Sequence, residues 1–586
     1  LPEDGEAHRY NKIGDALEVS YVQMARYLSA AKYAVHEVIK EKLLQVEPVT
    51  KRYYAREQQG LTGRFNGDGN GTPFTDRATT PLIGTTVEPE IRARRAPLTV
   101  GDTDPVKREL EAVGWVHGHY PAAFSTVFSS FRAAVPGRYR IKFSGYSIWV
   151  GPYGHLEPFN NNNVVGHPPA IRWVLPNFDD VSRGRNNEPI TVSTQGTQVN
   201  RRLGAFDLTP EPTVRDIGEV ELYANDTVVV DASRFFRSRP TVTRGIWTNP
   251  LAQRDGQPGV AFRWMDVEGP LTDGEAGAGY RLLFGDLPLK RLDRPVAEAP
   301  AVGRGRGGRG GRGGPAPEPR YEVVSEHPQQ DAERLIRSFM QRAFRTPVEE
   351  RKVERYLGLY NSEVNTGHNF TDAMISAYTG VMSSPGFVFV NEAPGLLDDN
   401  ALATRLALFL WNSEPDETLR GLAARGELGK SDVLKVQTER MLKDDKSQRF
   451  LESFTDYWLD IRKMDETTPS VTLYNDYFLD DMLMDAALDE TRLFVADLLR
   501  RDLPVRNIVD SDFTYLNEHL ALHYGISGVE GVAMRRVALP ADSPRGGLMT
   551  QASVLKITAN GTTTSPVLRG VWITERIIGN PIPPPP

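Results

Sequence analysis

The stretch Gly137–Val150, "GRYRIKFSGYSIWV", sets the reading of the first half of the chain. Aromatic and β-branched residues alternate there in part with charged ones, the period of an extended strand with two unlike faces. Similar short runs surround it: "PITVSTQ" from Pro189, "EVELYANDTVVVDASRF" from Glu219 and "GVAFRWMDVEGPL" from Gly259, each punctuated by Gly, Pro or Asn. Several such strands between about 98 and 293 predict an antiparallel sandwich.

Outward from this region the periodicity changes. Met24, Leu28, Ala31, Val35 and Val38 recur at helical intervals behind a capping-box pair, Ser20 and Gln23. Beyond residue 325 the chain reads as helices, among them "AERLIRSFMQRAF", "ALATRLALFLWNSEP", "SDVLKVQTERMLKD", "SQRFLESFTDYWLDI" and "FLDDMLMDAALDETRLFVADLLRRD". The fold class expected is multidomain α+β, a β-sandwich-like domain followed by mainly α-helical domains. The divisions are an N-terminal helical segment at 1–58, a loop-rich connector at 59–97 and the sandwich at 98–293. An Arg/Gly/Pro-rich linker at 294–325 follows, then helical domains at 326–397 and 398–530. A C-terminal α/extended domain at 531–586 ends in a proline-rich linker.

At 586 residues the chain has room for roughly three to four domains of ~150 residues. Its net charge of −7 argues against a general nucleic-acid partner. No apolar run approaches the ~20 residues of a membrane-spanning helix. With no cysteine, disulfides, thiolate metal sites and covalent haem attachment are excluded within these residues. The chain starts at Leu1 and stops in prolines, and is read as the middle of a longer polypeptide.

Several motifs nominate sites. Asn66, Asp68, Asn70 and Thr72 place oxygen ligands at every second position, as in a calcium loop, although Arg77 stands where the closing acid belongs. Asn-Gly and Asp-Gly are equally ordinary turn chemistry. Tyr146, Trp149, Tyr153, Trp247 and Trp264 are candidates to stack on a glycan; aromatics in a sandwich also fill cores. His117 and His119 could share a metal, and His519 and His523 lie four apart without the glutamate of a zinc-protease pair, so they read as helix surface or cap. Asp481, Asp485 and Asp489 share a helical face that reads as solvated. Asp512, Asn517 and Glu518 are the candidate catalytic cluster. In "TANGTTTSPVLRG", Asn560-Gly561 reads as a turn and Ser565-Pro566 as a helix start.

"LPEDGEAHRYNKIGDALEVSYVQMARYL", "AERLIRSFMQRAFRTPVEERKVERYL", "RLALFLWNSEPDETLRGLAARGEL", "DFTYLNEHLALHYGI" and the tail from Arg545 together carry a likeness. The chain resembles large exported proteins with a planctomycete-type cytochrome c domain followed by several domains of unknown function. The resemblance implies export to the periplasm or cell exterior, a c-type haem domain outside these residues and a cytochrome partner. It carries over no catalytic residue, and the Arg/Gly tract looks like an insertion in it. The leading expectation is an envelope scaffold or recognition protein binding a glycan or a protein. The alternatives are a redox or polysaccharide-processing enzyme with its site between β-rich and helical regions, and a structural subunit of a larger envelope assembly.

Overall fold

The computed structural model describes residues 21–43, 48–58, 79–84, 89–91, 104–116, 125–152, 176–196, 200–232, 239–240, 247–248, 251, 253–271, 277–292, 320–344, 348–390, 392, 395–470, 473–474, 480–580 and 582. The chain separates into two units, each discontinuous in sequence: 1–46 with 272–447, and 47–271 with 448–586.

In the second unit the expected sandwich is present. One sheet runs in the order Thr213–Leu222, Gly137–Pro152, Gln257–Leu271, Ala112–Val116, Thr79–Gly84, Pro89–Ile91, with Val49–Tyr54 and Pro176–Arg183 joined at its sides. The facing sheet is Ser125–Val127, Thr227–Ala232, Glu188–Gln195, Arg202–Leu208, and every pairing is antiparallel. Tyr139, Ile141 and Phe143 point inward against Ile190, Val192, Phe206 and Val230, and Phe143 stacks on Phe206 with ring centroids 5.2 Å apart. Alternation fades after Ser144 for a physical reason. Tyr146, Ile148 and Val150 meet Leu82, Val116 and Ala261 on the opposite face, so this end of the strand is buried on both sides. Gly145 fits between them because a Cβ there would sit 2.5 Å from the Ala261 carbonyl oxygen.

The same unit contains the helices Gln448–Trp458, Asp481–Arg500, Glu518–Tyr524, Ala552–Ile557 and Pro566–Trp572. Three of these starts have a sequence cause. Asp480, Asn517 and Ser565 accept backbone N–H groups from Met482, Leu520 and Leu568, and Pro566 occupies the first turn of its helix. A five-residue π-turn, Ile573–Ile577, continues the last helix before Gly579 at φ +75°.

The first unit is mainly helical. The N-terminal helix Tyr21–Leu43 buries Val35 and Ile39 in one core with Tyr280, Leu335, Ile336, Met340 and Tyr378. Tyr378 is wholly buried and donates its hydroxyl to the Leu283 carbonyl. Strands Leu289–Leu292 and Arg320–Val323 pair antiparallel, with Leu292 opposite Arg320. Both flanks of the Arg/Gly tract therefore lie side by side in one unit. Sequence alone suggested a link between two compact regions; pairing of its flanks makes it an excursion from a single ladder.

Truncating Phe143 to Ala removes a ring from the centre of the sandwich. Chemical denaturation should show a loss of about 3–5 kcal/mol, whereas a loss below about 1 kcal/mol would mean that the two sheets do not share this core.

Candidate functional site

The long helix Asp481–Arg500 organises the C-terminal part of the second unit. Leu483, Ala487, Phe494 and Val495 recur on one apolar stripe, but Glu490 and Thr491 interrupt it at its middle. Both are buried, and both are satisfied. Thr514 donates to Glu490 Oε1 at 2.6 Å and the Tyr524 hydroxyl donates to Oε2. Thr491 donates to Gln551 Oε1 at 2.7 Å and shares a hydrogen bond with Ser553 at 2.6 Å. The Tyr524 oxygen also accepts from the Ala552 backbone at 2.7 Å, while the Arg545 guanidinium lies 3.5 Å from the centre of the tyrosine ring.

Burial pushes the Glu490 carboxyl up to about 7, against the opposing pull of its two hydroxyl donors and of Arg545. The void beside it is only about 10 Å³. A substrate has no room there, so this carboxyl is structural despite its displaced titration. The pair Gly546-Gly547 belongs to the same arrangement: Cβ atoms would stand 2.9 Å from Ser511 O and 2.5 Å from Ile508 O, and Gly547 has φ +71°.

A cavity of about 720 Å³ opens at the N-terminal end of the same stripe. Leu483, Met484 and Ala487 form one wall, with Met464 and Leu555 opposite. The Ala559–Thr564 turn lies along it. Asn560 Oδ1 accepts the Thr562 and Thr563 N–H groups, and Gly561 takes φ +85°. The Gly561 carbonyl accepts from Ser470 N at 2.7 Å, which docks the turn on the preceding segment. As expected from sequence, the turn is built by its own side chain–backbone bonds. What sequence did not indicate is that it walls a cavity.

Three basic residues line this space: His523, Lys556 and Arg569. Lys556 donates to the carbonyls of Met464 and Thr467, and burial holds its amine below the usual lysine range. Arg569 donates to Thr564 Oγ1 at 2.5 Å and to Thr558 Oγ1 at 3.5 Å. No carboxylate is among the described lining residues. The volume suits a small organic ligand, for which pockets of ~300–1,000 Å³ are usual.

Residues nominated from sequence fall elsewhere. Asn517 caps a helix through Leu520 N and donates to Val532 O; Glu518 accepts from Gly531 N at 2.8 Å. Asp512 is exposed, and its carbonyl accepts from Leu539 N. Tyr146 is buried against the second face of the sheet. Trp149 is buried under Arg185, 3.7 Å from its ring centre, and donates to Asp255 O. Trp264 is buried with Arg52 at 3.7 Å. These three rings are buried and form no open stacking platform. Trp247 lies in a two-residue strand paired with Arg239–Pro240. Tyr153, His117, His119, Asn66, Asp68, Asn70 and Thr72 lie outside the described residues.

His519 is buried rather than on the helix surface, because its Nδ1 meets Asp480 Oδ2 at the start of the long helix. Asp485 ion-pairs with Arg202 of the sandwich, so this acidic face is only partly solvated. Among the described residues no group of three or more His, Asp or Glu is arranged to hold a metal ion, and no helix is long and apolar enough to cross a membrane. Glu490 escaped the sequence reading, although one carboxylate inside the stripe of "AALDETRLFVADLL" was the available signal.

The displaced titration of Glu490 has a defined sign. The folded chain keeps a proton that the unfolded chain releases near 4.5, so the contribution to stability is present at the acid end and is lost as pH rises to about 7. Relative to Glu490→Gln, the wild type should lose about 3 kcal/mol across that window and stay level above it. Denaturant titrations at several pH values measure this difference; a constant difference would show that folding does not raise the carboxyl's titration.

No curated protein matches the chain. Among solved structures, the CBM36-1 domain of a multidomain xylanase from the hindgut metagenome of Trinervitermes trinervoides aligns at 10% identity over 33% of this chain and 97% of its own, with a TM-score of 0.14. That likeness carries no argument about fold or ligand. Four segments match families of proteins of unknown function: PSD3 (DUF1587) at 1–40, PSD5 (DUF1595) at 331–392, PSD4 (DUF1592) at 397–526 and PSCyt3 (DUF1588) at 545–586. These are the domains of unknown function associated with planctomycete cytochromes c, and none of the matched segments is itself a cytochrome domain.

Proposed function

We propose that this chain is an exported recognition and scaffold component that works beside a c-type cytochrome at the cell envelope, and that its C-terminal part binds a small, largely apolar molecule. The observation that carries the binding role is the cavity walled by Leu483, Met484, Ala487 and Leu555, whose size fits a ligand rather than a packing defect. The cytochrome partner is supported by the matched cytochrome-associated segments, and the envelope setting by the sequence resemblance alone. A binding role is favoured over catalysis by what the polar residues of this part do. Glu518 and Asn517 hold backbone groups of the Gly531–Val532 loop, and Glu490 faces no space for a substrate.

Calorimetric titration of the full chain with decanol, a neutral apolar probe, should give saturable binding at one site. Leu555→Trp, which places an indole in the cavity, should abolish the heat while leaving the melting transition cooperative. Non-saturable binding, or unchanged binding in the folded tryptophan variant, would remove the cavity as the site.

A further inference from the structure

We infer that the cavity is built for an amphipathic carboxylate, with an apolar body against Leu483, Met484 and Leu555 and its head group at Arg569; this rests on the cavity being a binding site. The lining has one chemical asymmetry. Its walls are mainly aliphatic and thioether, its formal charges are all basic, and no described lining residue carries an acid. A cationic ligand would be repelled there, and a neutral one would leave the charge unused.

Arg569 is placed to receive such a head group. It sits on the helix Pro566–Trp572, which Ser565 caps, and is half-buried. Its hydrogen bonds among the described residues go to the hydroxyls of Thr564 and Thr558. Hydroxyls orient the guanidinium without neutralising it, and its planar fork matches a carboxylate in a bidentate manner. Lys556 adds positive charge from the neighbouring helix, partly offset by Asp465 nearby. Its ammonium is fixed by the Met464 and Thr467 carbonyls, so it acts at short range without needing to move. The turn that walls the cavity contributes Thr563 and Thr564 to the lining, and Thr564 holds Arg569 through its hydroxyl. The basic groups suit an anion and the aliphatic walls suit hydrocarbon.

The test compares decanoate with decanol on the 586-residue chain by calorimetry at low salt, with acetate as a head-group-only control. Decanoate should bind about tenfold more tightly than decanol, the scale of one charge-assisted contact. Acetate should give no measurable binding. Arg569→Met should bring decanoate down to the decanol level, and Arg569→Lys should restore part of the difference. Equal binding of decanoate and decanol by the wild type would overturn the anion assignment while leaving the cavity as a neutral-ligand site. Binding of neither would overturn the cavity reading as well. Because the decisive comparison uses unmodified protein, it does not depend on the variants folding.

Discussion

A buried carboxyl in the middle of an apolar helix face is the constraint around which the C-terminal part is arranged. Leaving a buried polar group unsatisfied costs ~1–3 kcal/mol, and more for a charge. Glu490 therefore demands donors, and it takes them from elements distant in sequence: Thr514 on a strand and Tyr524 at the end of a short helix. Tyr524 in turn accepts from Ala552, which sets the start of the next helix. Arg545 over the tyrosine ring and the close-packed Gly546-Gly547 pair complete the shell. The cavity lies beside Leu483, Met484 and Ala487, nearer the start of the long helix.

A second set of bonds ties the sandwich to the same part of the unit. Asp207, at the end of a sandwich strand, accepts the Val532 backbone N–H at 2.9 Å, and Glu518 accepts the adjacent Gly531 N–H at 2.8 Å. Burial pushes the Asp207 carboxyl up from its ordinary range, with Val532 drawing it back down. Gly531 is held at φ +81°, and a Cβ there would meet Asp207 Oδ2 at 2.6 Å. Glu518, which sequence offered as catalytic, thus lies where strands and helices meet with its Oε2 committed to backbone, while Asp512 is exposed.

Much of the architecture was legible in the residues because it follows from local period and local chemistry. Partial alternation in Gly137–Val150 marked the strand, and Ser565-Pro566 marked the start of the helix that Ser565 caps. The site was less legible because burial is not local. Tyr146 and Trp149 have the composition of a binding face, yet Tyr146 clusters with Leu82, Val116 and Ala261, far away in sequence, on a buried face of the sheet. His519 looked exposed until Asp480 closed on it. The flanks of the Arg/Gly tract looked like domain ends until Leu289–Leu292 paired with Arg320–Val323. Lys556 and Arg569 stood in plain helical sequence, and only the fold brings them to one cavity.

The account turns on what occupies that cavity. A crystal structure of the full chain grown with decanoate addresses it most directly. The acyl chain should lie along Leu483, Met484 and Leu555, with its carboxylate within hydrogen-bonding distance of the Arg569 guanidinium. A cavity closed by repacking of these side chains, or decanoate bound only elsewhere on the protein, would contradict the account.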